Sequence, residues 1–424
     1  MMDKPSSDCS YTIRKLDLSG TFLSPPPEDV SLSPCVIEYE LPPDRLDLDA
    51  LKIIRRLQRH GHPAFLVGGC VRDILLEQPP KDFDVVTSAQ PKDIRKLFRN
   101  SRLIGRRFRL IHMYFKQGKI IEVATFRRSA TQDDELEDRH AETNLYGGPA
   151  DDVIRRDFTI NALMYDPERR EIHDYVDGFR HLSRRLLCTI GRPERRLQED
   201  PVRIIRAVRF GVRHNLQFDP PLLAAMQQLS TQVLECNRDR MTEEIFKILR
   251  CSAAAPCLQM FTELGILPLL FPGLQLKAEA GESPFKHIER LDRSIRNNGF
   301  FNDSIILAVF VFSFCRDFLY EAGDIVQDLN EVLAAVNANL RFPRWQLHHI
   351  RQMLMSQRNL LRGPYTRRAQ RILSRDYAAD AITLMGLVAG DNDARKMHEA
   401  WSRLISGQAS GPRRKRKPRS KRNQ

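Results

Sequence analysis

Apolar positions along this chain keep two different rhythms. Between residues 64 and 126 they come in short runs: Ala64-Phe65-Leu66-Val67, then 83–87, 109–115 and 119–126. Short apolar runs bounded by glycine, proline or acids predict strands. Gly68-Gly69 predicts a tight turn into a short helix over 70–76, and Pro91 opens a helix through 98, where a first-turn proline belongs. Gln117-Gly118 suits an antiparallel hairpin between the last two runs. Ahead of these, Asp47 or Asp49 caps a helix carrying Leu51, Ile54 and Leu57, with Gly61 as its left-handed stop.

Strand-type patterning resumes at 171–174 and 185–190. From Pro193 the spacing changes to threes and fours, as in Val202, Ile205, Val208 and in Ile245, Ile248, Leu249. That period is helical, and further helices are expected over 284–297, 303–318, 323–338, 344–361, 366–374 and 377–405. The fold class is therefore α+β: a head with a mixed sheet, then an all-helical neck, body and tail. The expected parts are a flexible lead-in over 1–45, the head over 46–190, a helical neck over 191–275, a helical body over 276–406 and a disordered tail over 407–424. The acid-rich stretch 129–152, with Gly147-Gly148-Pro149, reads as a mobile loop.

Composition narrows the class. The 424 residues suit two or three domains, and 42% hydrophobic content supports a sizeable core, which excludes a disulfide scaffold, a collagen-like fibre and a disordered chain. The net charge is +13, yet residues 411–424 hold eight Lys/Arg and no acid, leaving +5 elsewhere. Such a basic arm points to nucleic acid. The eight cysteines form no CxxC and no zinc spacing. Asp3, Asp8 and Asp17 interrupt the first twenty residues, and no run of about 18 apolar residues occurs. A cytoplasmic protein outside the membrane is expected.

The chemistry concentrates in five places. Gly68-Gly69 lets backbone approach a phosphate, and Arg72 adds a charge-assisted contact. Asp82 and Asp84, at i and i+2 on a strand, would project from one face and repel without a cation between them. An isolated Asp-x-Asp is usually a pair of solvated acids. Beside a phosphate cradle it suits Mg²⁺, which favours oxygen donors. Glu122, set in an apolar strand, needs a cation or Arg127 if buried. Asp157 competes for the same role, in Arg155-Arg156-Asp157-Phe158-Thr159-Ile160-Asn161, where Asp157 and Asn161 would share a helical face. Finally, Glu199-Asp200-Pro201-Val202-Arg203 sets acids three and four residues before Arg203. A carboxylate accepting from an exocyclic amine, beside an Arg donating to a ring nitrogen, matches adenine or cytosine but not guanine or uracil. Trp345 and Trp401 read as packing residues, His348-His349 and His60/His62 as unremarkable histidines, and Cys251 and Cys257 as thiols without a special role.

Taken in order, these motifs resemble the tRNA nucleotidyltransferase and poly(A) polymerase family, the class II nucleotidyltransferases, across roughly residues 50–215. The resemblance implies that Asp82 and Asp84 hold two Mg²⁺ ions, completed by Glu122 or Asp157. It implies Gly68, Gly69 and Arg72 at the triphosphate of ATP. Arg127, Arg155, Arg156 and Asn161 would line the nucleotide, while Asp200 and Arg203, with Arg206, would read the base. The stretch Leu103-Ile104-Gly105-Arg106-Arg107-Phe108-Arg109-Leu110-Ile111-His112 resembles the one that marks the bacterial poly(A) polymerases, although Cys70 stands where that subgroup usually has a third glycine. The function so implied is template-independent addition of AMP from ATP to RNA 3′ ends, on mRNA or tRNA. Complete or partial CCA addition to tRNA is the alternative. A non-catalytic RNA-binding protein is a third reading, disfavoured because every expected carboxylate is present.

Overall fold

Strands form at the short apolar runs, and they build one mixed sheet. The computed structural model describes residues 33–105, 110–128, 146–275, 282–297, 299–320, 325–365, 371–389 and 392–405. Within them the chain divides into two units, one from residues up to Glu199 with Leu216–Ala225, the other from Asp200–Asn215 with residues from Met226 onward.

The first unit runs β1 (Cys35–Glu38), α1 (Leu48–Arg59), β2 (Ala64–Val67), α2 (Gly69–Leu75), β3 (Asp84–Thr87), α3 (Pro91–Leu97), β4 (Ser101–Ile104), β5 (Leu110–Tyr114) and β6 (Ile120–Thr125). It continues through α4 (Pro149–Ile154), β7 (Met164–Asp166), β8 (Glu171–Asp174), α5 (Gly178–Ser183), β9 (Leu186–Leu187) and α6 (Pro193–Glu199), with β10 (Gln217–Phe218) pairing parallel to β9. The sheet order is β1-β8-β7-β2-β3-β6-β5-β4. β3 and β6 pair in parallel, and the other neighbours are antiparallel. Asp47 caps α1 through Asp49 N and Ala50 N, as the sequence suggests.

Register decides which side chains share a face. Phe65, Val67, Val86 and Met164 lie on one face and enter a core with Phe126, Val153, Ala162, Val176 and Ile190. Asp84 and Glu122 stand opposite one another on that same face, while Val85, Ile121 and Val123 are buried on the reverse side. A strip of acids thus continues an apolar face.

The second unit is helical: α7 (Val202–Arg213), α9 (Arg238–Leu249), α10 (Ala254–Glu263), α11 (Ile266–Leu270), α12 (Lys286–Arg296), α13 (Asp303–Tyr320), α14 (Ile325–Val336), α15 (Arg344–Leu360), α16 (Ala378–Val388) and α17 (Asn392–Ile405). The boundary between the units falls within α8 (Pro220–Gln228). No helix of the described residues is long and apolar enough to cross a membrane.

Several expectations change. The lead-in over 1–45 is structured from Cys35, because β1 gains a full antiparallel register with β8. The loop expected over 129–152 already contains the start of α4 at Pro149; residues 129–145 lie outside the described residues, as does the tail over 407–424. The single helix expected over 377–405 is two helices, α16 and α17, with the sequence Gly390-Asp391 between them, where helix propensity is poor. Trp401 is buried and its Nε1 donates to Leu360 O at 2.9 Å, but Trp345 is 68% exposed and is no packing residue.

Candidate active site

β2 ends at Val67, and Gly68 takes φ +75° and ψ −124°, a backbone region L side chains rarely adopt. α2 starts at Gly69. Arg156 Nη1 lies 3.4 Å from where a Cβ on Gly68 would sit, and Arg72 Nη2 lies 3.7 Å from the equivalent point on Gly69. Two guanidiniums therefore border the bare turn. Arg72 is buried and held: Nε and Nη2 donate to Asp73 Oδ1 at 2.8 and 2.6 Å, and Nη1 donates to Asn161 Oδ1 at 2.6 Å. Asn161 Nδ2 in turn donates to Asp157 Oδ1 at 3.1 Å, which also accepts from Phe158 N at 2.9 Å. The pairing of Asp157 with Asn161 appears as the spacing suggested, but not on an α-helix. α4 ends at Ile154, and Thr159–Asn161 is a single 3₁₀ turn. Cys70 is buried with its Sγ donating to Val67 O, and burial pushes its thiol up to about 12, so it is no nucleophile.

The acids gather around β3. Asp84 lies between Val67 on β2 and Glu122 on β6, one residue from the Gly68 turn across the strand pair. Burial, then repulsion from Glu122 and Asp82, pushes its carboxyl up to about 6 against the pull of Arg156. Asp82 precedes the strand rather than lying in it, and its side chain is 74% exposed, 3.8 Å from Lys81 Nζ. Glu122 is not the buried acid expected, because its register turns it to the open part of the face; its side chain is 48% exposed and meets His112 Nε2 at 3.3 Å. His112 is its cross-strand partner on β5, a neighbour that only the register reveals. Of the two candidates for a third carboxylate, Glu122 is the one whose charge reaches Asp84, whereas Asp157 is engaged with Asn161 and Phe158. Among the described residues no three His, Cys, Asp or Glu side chains are gathered closely enough to hold a metal ion by themselves.

Asp152 was absent from the sequence reading. Its side chain is fully buried and accepts from Arg155 Nε and Nη2 at 3.0 and 2.5 Å and from Arg156 Nε and Nη2 at 3.1 and 2.8 Å. Arg127 N adds a fifth bond at 3.3 Å. Burial pushes the carboxyl upward, but Arg156 and Arg155 prevail and hold it below its ordinary value. The guanidinium of Arg127 is pulled down by burial and by Arg155. The missed signal was the spacing of Asp152, Arg155 and Arg156, three and four apart across the end of a short helix.

In the second unit the expected base-reading set is rearranged. α6 ends at Glu199 and α7 begins at Val202, so the acids and Arg203 do not share one continuous helix. Pro201, which lacks an N–H, stands at the break. Arg203 N donates to Asp200 O at 2.9 Å, and the Asp200 carboxylate takes both terminal nitrogens of Arg240 at 3.2 and 2.8 Å. Arg206 Nη1 bonds Glu244 at 3.2 Å, shared with Arg209, and both guanidiniums lie over the Phe210 ring. Glu244 is buried, yet Arg209, Arg206 and Lys247 hold its carboxyl low. Arg240 and Glu244 come from a helix about forty residues downstream, beyond any local pattern. In the stretch that resembled the poly(A) polymerases, Leu103 and Ile104 lie on β4, Leu110 to His112 on β5, and residues 106–109 outside the described residues.

Residues 64–188 match the model of the Poly A polymerase head domain, and residues 215–277 match that of the "Probable RNA and SrmB- binding site of polymerase A". The matched head domain and the fold it takes are those of a nucleotidyltransferase enzyme. Poly(A) polymerase I of Salmonella typhi is 33% identical over 399 residues, 86% of this chain and 83% of that protein. Poly(A) polymerase I of Escherichia coli O157:H7 is 35% identical over 366 residues, 77% of each. A CCA-adding enzyme of Geobacillus kaustophilus is 34% identical over 230 residues, 54% of this chain and 56% of that protein. Among solved structures, the Bacillus stearothermophilus CCA-adding enzyme in complex with CTP superposes with a TM-score of 0.62 at 26% identity, over 84% of this chain and 82% of that one. The chain belongs to the poly(A) polymerase family.

Proposed function

We propose that this chain adds AMP from ATP to RNA 3′ ends without a template, in a cytoplasmic setting that the seven free cysteines of the described residues fit. The observation that carries the reading is the row of acids Asp82, Asp84 and Glu122 beside the Gly68 turn and its two guanidiniums. The two poly(A) polymerase I relatives named above, 33% and 35% identical over 86% and 77% of the chain, support AMP addition; the CCA-adding enzyme of Geobacillus kaustophilus is similar in sequence over 54%.

The donor set suits Mg²⁺. Asp84 is a carboxyl raised by burial and by two like charges, with no ion-pair partner among the described residues, and Asp82, Asp84 and Glu122 offer hard carboxylate oxygens. Asp82, Asp84 and Glu122 would hold a pair of Mg²⁺ ions, the rest of each shell coming from water and substrate phosphates. Bound there, the ions would acidify the RNA 3′-OH and neutralise charge on the departing pyrophosphate. The protein's own part is placement. Gly68 and Gly69 let the triphosphate reach the backbone, and Arg156 faces it from above Gly68. Asp73 and Asn161 fix Arg72 so that it borders the turn in one orientation. Asp200 and Arg203, steadied by Arg240, would select the base.

Primer extension with Mg²⁺ tests this, offering ATP alone or ATP with CTP, on oligo(A) and on tRNA lacking its CCA end. A long ladder on oligo(A) with ATP alone is expected. Addition of one to three nucleotides, confined to tRNA, would establish CCA addition instead. Asp82→Ala, at an exposed position, should keep the wild-type melting temperature and lose at least about a thousandfold in turnover.

A further inference from the structure

Residues 332–375 contain nine arginines, no lysine and no acid. α15 lies within this stretch. Its buried side, Gln346, Ile350, Met353, Gln357 and Leu360, repeats every three or four residues. Arg344, His348, Arg351 and Arg358 repeat at the same period on the other side, and Arg362 follows the helix. Arg344, Arg358 and Arg362 have no counter-charge among the described residues. Beside the stripe stands Trp345, 68% exposed, and just past the helix Tyr365, 56% exposed. Each is an uncovered aromatic within three residues of an arginine in the sequence, Arg344 beside Trp345 and Arg362 before Tyr365, and burial of neither stabilises the fold.

We propose that this side of α15 is a track for single-stranded RNA, in which Trp345 stacks on a base while Arg344, Arg358 and Arg362 bind phosphates. The inference rests on the reading of RNA as the substrate and adds a defined contact to it. Aromatic faces take any base, and arginine is the side chain whose planar fork matches phosphate oxygens. The absence of acids over 44 residues, in a chain that elsewhere carries 54 of them, is the charge complement of a polyanion. The charge alone would also suit an acidic protein surface, but such a surface offers no base to stack on the exposed indole, so Trp345 favours RNA.

The chain has two tryptophans, and Trp401 is fully buried, so the exposed indole reports on its own surroundings. Oligo(A) should quench part of the tryptophan emission of the wild-type protein, and Trp345→Leu should abolish that quench. Trp345→Leu should also raise the Kd for labelled oligo(A) and the KM for RNA about tenfold, leave the KM for ATP and kcat unchanged, and be partly rescued by Trp345→Phe. Arg344→Ala with Arg358→Ala should flatten the salt dependence of binding by about 0.7 per lost phosphate contact. Binding of oligo(A) without any change in emission, or a Trp345→Leu variant that binds and extends RNA as wild type does, would overturn the proposal. Quenching in a protein that adds no nucleotide would uphold the track while refuting AMP addition.

Discussion

At Asp84 the sheet holds a carboxyl between burial and two other acids, so this residue should weaken the fold that carries it. Its folded pKa, about 6, lies above the ordinary 3.8, so the folded state binds the proton more tightly than the unfolded one. The stability this lends is complete below the unfolded value and is lost as pH rises through 6. In metal-free protein, Asp84→Asn should therefore stabilise by on the order of 2 kcal/mol at pH 8 and give no gain at pH 4. Thermal melts in a chelator at the two pH values measure it, and equal melting shifts at both would contradict the assigned cause. The same variant should lose turnover at every pH, a trade of stability against activity that functional sites commonly show. The place of Asp84 beside the glycine turn could be read in the sequence from Asp-x-Asp following Gly-Gly. The openness of Glu122 and its contact with His112 could not, since they depend on strands paired across the sheet.

Among the elements, the six residues of α4 organise the cationic side of the site. Asp152 gathers Arg155 and Arg156 and anchors the backbone of Arg127, which brings Arg156 over Gly68. Asp152→Ala leaves two partly buried guanidiniums uncompensated and should cost about 3–5 kcal/mol, read as a fall in melting temperature. Asp152→Asn, which keeps the shape but not the charge, should raise the KM for ATP more than it lowers kcat. If steady-state kinetics on that variant show an unchanged KM, Arg156 does not face the triphosphate. The α4 sequence looked like loop because glycines, proline and acids precede it, and those residues are also what starts a helix: Gly148, Pro149, and Asp151 accepting from Gly148 N. Conversely, the smooth apolar period around residue 200 hid the break at Pro201.

For the whole molecule, charge is the property the chain shows most plainly. Residues 411–424 carry eight of the Lys/Arg, against a surplus of five elsewhere. A chain ended at Ile405 should bind RNA more weakly near 0.15 M salt, show a shallower dependence of log K on log salt, and keep kcat and the KM for ATP. Filter-binding across a salt series tests this, and an unchanged slope would show that the arm does not touch phosphates.

The sequence by itself determined β2, β3, β5, β6 and β8 of the head but not β4 (Ser101–Ile104) or β7 (Met164–Asp166), and it determined the glycine turn and its acids, the helical remainder and the basic arm. Each is set by residues adjacent in the chain or one turn apart. Tertiary structure alone decided that Cys35–Glu38 is an edge strand, that Glu122 rather than Asp157 confronts Asp84, and that Arg240 holds Asp200. It also left Trp345 uncovered beside a stripe of arginines. These depend on strand register and on partners tens of residues away, and a one-dimensional pattern carries no information about which distant side chain a given residue will meet.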